Sequence, residues 1–159
     1  MQPMRRKDRE VRDPARIREI LHQCKVCRLG LQDGEHTYVV PLNFGLVEGE
    51  TGYTFYFNGD RQGRKMDVIG SGARAGFELD TGFQLVTAPE AKDYTAKYQS
   101  IIGEGWIRPV EEREEKIRAL DALMKQYTDR EDWEYPERLI NVVGILRLDV
   151  EELSCKEYQ

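Results

Sequence analysis

Apolar and polar positions alternate along most of this chain, with helical spacing confined to a few stretches. The first dozen residues are polar, five of them Arg or Lys, and read as a solvated arm. Asp13 as N-cap, Pro14 at N1 and the face Ile17, Ile20, Leu21 and Cys24 then predict a helix. Val26 to Leu31 reads as a strand, and Asp33-Gly34 turns it into the extended run Thr37-Tyr38-Val39-Val40-Pro41-Leu42-Asn43-Phe44, making a hairpin. A turn-rich break from Val47 to Gly52 precedes a second run, Tyr53 to Asn58, and a short helix begins near Arg64 and ends at Gly70-Ser71-Gly72.

Further on, Arg74 to Leu79 and Phe83 to Ala88 read as strands joined by a turn at Asp80-Thr81-Gly82. Pro89 to Asp93 breaks the pattern, and Tyr94 to Trp106 is extended with a bulge or bend expected at Gly103-Glu104-Gly105. Glu111 to Tyr127 is the clearest helix: acids crowd its first turn, and Ile117, Leu120, Leu123, Met124 and Tyr127 form its apolar stripe. A loop or short helix leads from Thr128 to Leu139, Val142 to Val150 is a last strand, and residues 151–159 form a polar tail. Short strands joined by tight turns favour antiparallel pairing, so the expected fold is mainly β: a small barrel with peripheral α-helices.

A chain of 159 residues fits one domain spanning 1–159. With 40% apolar and 33% charged residues its core is thin, a shortfall that dimerisation commonly relieves. The net charge of −5 and pI of about 5.2 argue against a nucleic-acid binder. No apolar run is long enough for a membrane span and no apolar segment backs the charged N-terminus, so neither a membrane location nor secretion is expected. Three cysteines, an odd number, suit a reducing cytoplasm.

Few motifs carry chemistry. Cys24-Lys25-Val26-Cys27 lacks the further ligands that zinc needs and straddles a helix end, so a structural role is expected and no metal site is assigned. The glycines around Gly70 have the wrong spacing and context for a dinucleotide loop, and Gly59 to Lys65 is one residue short of a P-loop. His22 and His36 have no spacing-defined partners, and Glu111, Glu112, Glu114 and Glu115 are most simply a helix start, so no catalytic residue is assigned. Gly63-Arg64-Lys65 remains: a glycine allowing close approach and two cations at a helix start suit a phosphate. With two strands leading into it, the segment from His36 reads as a cradle for a flavin phosphate, although an ordinary exposed basic pair accounts for the same residues.

Several blocks together carry a family resemblance: Met4 to Glu10, Val26-Cys27-Arg28-Leu29-Gly30-Leu31, Tyr38-Val39-Val40-Pro41-Leu42-Asn43-Phe44-Gly45, Gly63-Arg64-Lys65-Met66-Asp67, and Tyr98 to Gly105. In this order they resemble the pyridoxamine 5′-phosphate oxidase-like, FMN-binding split-barrel superfamily, nearest to its 5-nitroimidazole reductase branch. The resemblance implies a six-stranded antiparallel split barrel acting as a homodimer, with FMN at the subunit interface. It implies that Val39, Val40, Pro41, Leu42 and Asn43 line the isoalloxazine ring, and that Phe57, Asn58 and Gly59 flank the ring and ribityl chain. Gly63, Arg64 and Lys65 would hold the phosphate, and Ser100 would approach the flavin from its own or the partner subunit. The N-terminal arm would be ordered in such a dimer.

One departure is informative. Asn58 stands where related nitroimidazole reductases have a His, so no titrating group is available there. Nor is there a counterpart for the residues that hold the substrate phosphate in pyridoxamine 5′-phosphate oxidases. The resulting expectation is a flavoprotein oxidoreductase passing electrons from a reduced donor to a small aromatic or nitro compound. The alternative is a non-catalytic protein that binds, stores or senses FMN, haem or a deazaflavin.

Overall fold

The computed structural model describes residues 1–159. In chain order it contains β1 (Glu10–Val11), α1 (Pro14–Gln23), β2 (Cys27–Asp33), β3 (His36–Leu42), β4 (Gly45–Gly49) and β5 (Gly52–Gly59). These are followed by α2 (Arg64–Ile69), β6 (Ala73–Val86), β7 (Thr95–Val110), α3 (Arg113–Tyr127), α4 (Glu137–Val142) and β8 (Gly144–Tyr158). All pairings are antiparallel, in the order β3-β2-β6-β7-β8-β5-β4, with β1 on β8. Six strands have seven or more residues, and these are the six of the expected split barrel; β1 and β4 are short additions.

Alternation along each strand sends one set of side chains into a common core. Leu29 and Leu31, Phe55 and Phe57, Phe77 and Leu79, Ile101 and Ile107, and Leu146 and Leu148 meet there, with Ile20 and Leu21 of α1 packed against them. At the centre the Phe55 ring meets Phe77 edge-on at 5.1 Å and Phe44 at 5.6 Å, tilted geometries that the ring quadrupoles favour. On the opposite face, Tyr56 and Ile145 join Val110 and Val143 beneath Ala119, Leu120, Ala122 and Leu123 of α3. That second cluster seats α3 outside the barrel.

Much of the sequence pattern reappears. Asp13 caps α1 through a hydrogen bond from the Ala15 N–H at 3.1 Å, β2 and β3 form the hairpin, and β7 shifts register against β8 between Glu104 and Gly105. Other expectations are corrected. The arm is anchored, not solvated: β1 pairs Glu10 with Lys156 and Val11 with Cys155, and Arg9 stacks 4.0 Å from the Tyr158 ring centroid. The polar tail is the second half of β8, paired with β7 as far as Tyr98↔Tyr158. Its apolar signal is diluted because only Cys155 there is fully buried, with Leu153 packing alongside.

The break after Phe44 contains β4, which pairs with β5 from Gly45↔Tyr56 to Gly49↔Gly52. Gly45 starts it because a Cβ there would lie 2.5 Å from the Leu123 backbone nitrogen. Asp80-Thr81-Gly82 does not separate two strands but forms a bulge within β6, where the register against β7 shifts and Gly82 takes φ 69°. On α3 the buried stripe is rotated: Glu115, Lys116, Ala119, Leu120, Ala122, Leu123 and Gln126 face inward, while Tyr127 is 38% exposed.

Candidate functional site around the start of α2

Gly63 precedes α2 with φ 119°, a conformation that favours glycine, and sets the direction in which the next two side chains leave the backbone. Arg64 reaches the β2–β3 hairpin: its Nε donates to Asp33 Oδ2 at 2.9 Å, and its guanidinium carbon lies 4.2 Å from the Tyr38 ring centroid. Lys65 points the other way, towards the end of β5, where a Cβ on Gly59 would come within 3.2 Å of its Nζ. The start of α2 thus bridges β3 and β5.

The two cations differ in availability. Arg64 is already paired with Asp33. Lys65 forms no ion pair, and burial pushes its ammonium below the usual lysine range, opposed only by Asp60. A partly buried, unpaired ammonium is the group in this region whose charge most lacks compensation. An anion placed there would supply it.

The other flavin candidates divide according to the strand period. Val39, 60% exposed, and Pro41 lie on the outer face of the sheet, whereas Val40 and Leu42 pack against the core. Beside Val39 the outer face lacks side chains, because its cross-strand neighbour is Gly30 and the next is Gly76. That leaves a flat, backbone-lined surface. Asn43 is exposed, but its amide points to the Tyr127 hydroxyl at 3.2 Å; the same hydroxyl accepts from Phe44 N–H at 3.1 Å and donates to Lys25 O at 2.7 Å. Phe57 requires a correction: its ring is wholly buried in the barrel core and cannot flank a ligand, so only its backbone is available there. Asn58 and Gly59 are exposed at the end of β5, opposite Ile145 and Gly144. Ser100 sits on the outer side of β7 between Asp80 and Lys156.

Sequence reasoning missed Asp33 and Tyr38 as the holders of Arg64. Asp33 carried a turn signal and Tyr38 a strand signal, and only the hairpin register, with Asp33 opposite His36, puts both near α2. Cys24, Cys27 and Cys155 are buried, and burial pushes the thiols up to about 12, about 12 and about 11. They are core groups. No helix is long and apolar enough to cross a membrane.

A sequence profile described as pyridoxamine 5′-phosphate oxidase matches residues 13–157, and the chain belongs to that family. It is similar to the crystal structure of a proposed 5-nitroimidazole antibiotic resistance protein from Bacteroides thetaiotaomicron, with 27% identity and a TM-score of 0.77 over 93% of this chain and 86% of that one. It also shares its fold with a FAD- and haem-binding protein from Mycobacterium smegmatis, at 17% identity and a TM-score of 0.82 over 95% of this chain and 74% of that one. The flavocytochrome Anf3 from Azotobacter vinelandii aligns at 17% identity and a TM-score of 0.78, covering 99% and 73% of the two chains. No curated protein sequence matches it.

Proposed function

We propose that this protein is an FMN-binding flavoprotein that acts as an oxidoreductase, passing electrons from a reduced donor to a small aromatic or nitro compound. The observation that carries the reading is the unpaired, partly buried Lys65 ammonium beside Arg64, in a chain of this family. The likeness to a proposed nitroimidazole resistance protein supports the acceptor class. Lys65 serves as a point charge for the flavin phosphate, and Arg64 adds its free guanidinium edge while Asp33 and Tyr38 hold it. The side-chain-free surface at Gly30 and Gly76, next to Val39, suits a flat ring. Bound FMN supplies the electron and hydride chemistry, and the chain's own residues bind and orient it.

The protein is proposed to work as a homodimer in the cytoplasm. Phe83 at 76%, Leu85 at 55% and Tyr94 at 48% exposure crowd one end of the β6–β7 hairpin, an apolar surface that a second copy would cover. Three unpaired thiols accord with a reducing compartment.

The purified protein is expected to be yellow and to release FMN on denaturation. Replacing both Arg64 and Lys65 by Ala should weaken FMN by about tenfold to a hundredfold and leave riboflavin, which lacks the phosphate, nearly unaffected. Equal losses for both ligands refute the phosphate role. Asn58 favours a second reading, non-catalytic flavin binding, because its amide cannot deliver a proton near neutral pH. Stopped-flow mixing of the reduced protein with a nitroimidazole separates the two: an oxidoreductase shows acceptor-dependent reoxidation and a carrier does not.

A further inference from the structure

The last turn of α3 is fastened to the connection between α1 and β2. Gln126 Nε2 donates to the carbonyls of Leu21, His22 and Cys24 at 3.0, 3.3 and 2.9 Å, and Lys25 Nζ donates back to Gln126 O at 2.8 Å. The Tyr127 ring is set beside Lys25 as a result, with the ammonium 5.5 Å from its centroid. The Tyr127 hydroxyl then uses its whole hydrogen-bonding capacity. Its proton goes to Lys25 O at 2.7 Å, and its two lone pairs accept from Phe44 N–H at 3.1 Å and Asn43 Nδ2 at 3.2 Å.

That saturation decides how the Asn43 amide is turned. Lys25 O, 3.4 Å from the amide nitrogen, can only accept, and the Tyr127 hydroxyl has no second proton to give. An amide oxygen on this side would face two acceptors with no hydrogen between them, at the cost of the bonds the nitrogen makes. The nitrogen therefore faces Tyr127 and Lys25, and Oδ1 of this exposed residue faces away, with no donor from the protein. Antiparallel pairing puts the start of β4 and the end of β5 at the same end of their hairpin. Asn43, two residues before Gly45, thus lies at the end where Asn58 and Gly59 sit and where the Lys65 ammonium approaches Gly59.

We infer that Tyr127 is a positioning residue that holds Asn43 Oδ1 outward as the acceptor for the N3–H on the pyrimidine edge of the flavin ring. This role rests on the flavin reading of the α2 site. An unrestrained asparagine serves a ring N–H or a ring carbonyl equally well by turning its amide; held by Tyr127 and Lys25, Asn43 selects the N–H. The cations at α2 recognise the phosphate, and this amide recognises the ring. A fixed acceptor also rejects a ring that lacks the donor, because the amide cannot turn to suit it.

The test is fluorescence titration of flavin-free protein with FMN and with N3-methyl-FMN, which lacks that N–H. The wild type should prefer FMN by about tenfold or more, and Asn43→Ala and Tyr127→Phe should each reduce the preference to about threefold or less. A purely structural role for Tyr127 predicts instead that Tyr127→Phe weakens both ligands alike and keeps the preference, which overturns the inference. If Tyr127→Phe does not fold, Asn43→Ala decides by the same criterion. A wild type that binds FMN without preferring it overturns the inference and leaves the flavin reading standing; a wild type that binds no FMN overturns both.

Discussion

Glu115 offers a sharp test of how α3 is held to the barrel. Its carboxylate is 7% exposed at the inward start of α3, where it accepts from Arg147 Nη1 at 2.7 Å and from the Tyr56 hydroxyl at 3.0 Å. Arg147 also donates to Asp149 at 2.8 Å, so removing Glu115 does not strip it of every partner. Breaking a fully buried pair costs about 3–5 kcal/mol; with Arg147 still engaged, Glu115→Ala should cost about 2–3 kcal/mol. Glu115→Gln keeps the shape and an acceptor oxygen but removes the charge, and should cost about 1–2 kcal/mol. The pH dependence separates charge from packing. Burial by itself raises this carboxyl, but the hydrogen bonds from Arg147 and Tyr56 outweigh it, and the folded-state value lies below the ordinary 4.5. The depressed value makes its contribution complete above the unfolded value and lost as pH falls through the folded one. Urea unfolding should therefore show the wild-type advantage over Glu115→Gln largest at about pH 7 and smaller once the pH has been lowered below 4.5 and through the folded-state value. An advantage of equal size at both pH values would refute the ion-pair account and leave only shape.

Other consequences are equally direct. Gly45→Ala should destabilise by about 1–3 kcal/mol in thermal or urea melts, because its Cβ would meet the α3 backbone at 2.5 Å and must push α3 off β4. Asp13→Ala, which removes the cap on α1, should cost about 1 kcal/mol, and Asp13→Asn should restore most of it. Iodoacetamide near neutral pH should leave Cys24, Cys27 and Cys155 unlabelled in the folded protein and modify all three in denaturant, as read by mass spectrometry.

Local signals carried most of the fold. The Asp13-Pro14 start of α1, the Asp33-Gly34 hairpin and the glycine bulge in β7 each depend on a residue type whose backbone preference acts within a few positions. Missed features depended on partners far away in sequence. Glu115 and Lys116 could not be read as inward-facing, because Arg147 and Tyr56 hold the first, and the carbonyls of Ile140 and Val143 hold the second at 3.2 and 3.3 Å. Likewise residues 151–158 continue β8 because β7 offers a full ladder, a condition that no window of the tail can reveal.

The candidate site was legible to the same extent and for the same reason. Gly63-Arg64-Lys65 announces itself by composition, and the helix starts at Arg64. Which of the neighbouring residues can face a ligand is decided by the barrel, whose interior is filled by Phe44, Phe55, Phe57 and Phe77. Ring contacts hold that interior closed, so binding chemistry is confined to the outer face and the strand ends. Among the residues the resemblance points to, Phe57, Val40 and Leu42 therefore face inward, whereas Val39, Pro41, Asn58 and Lys65 do not. The closed interior also leaves the N-terminal segment outside the barrel, against β8. There β1 ties the arm to β8 through Glu10↔Lys156 and Val11↔Cys155.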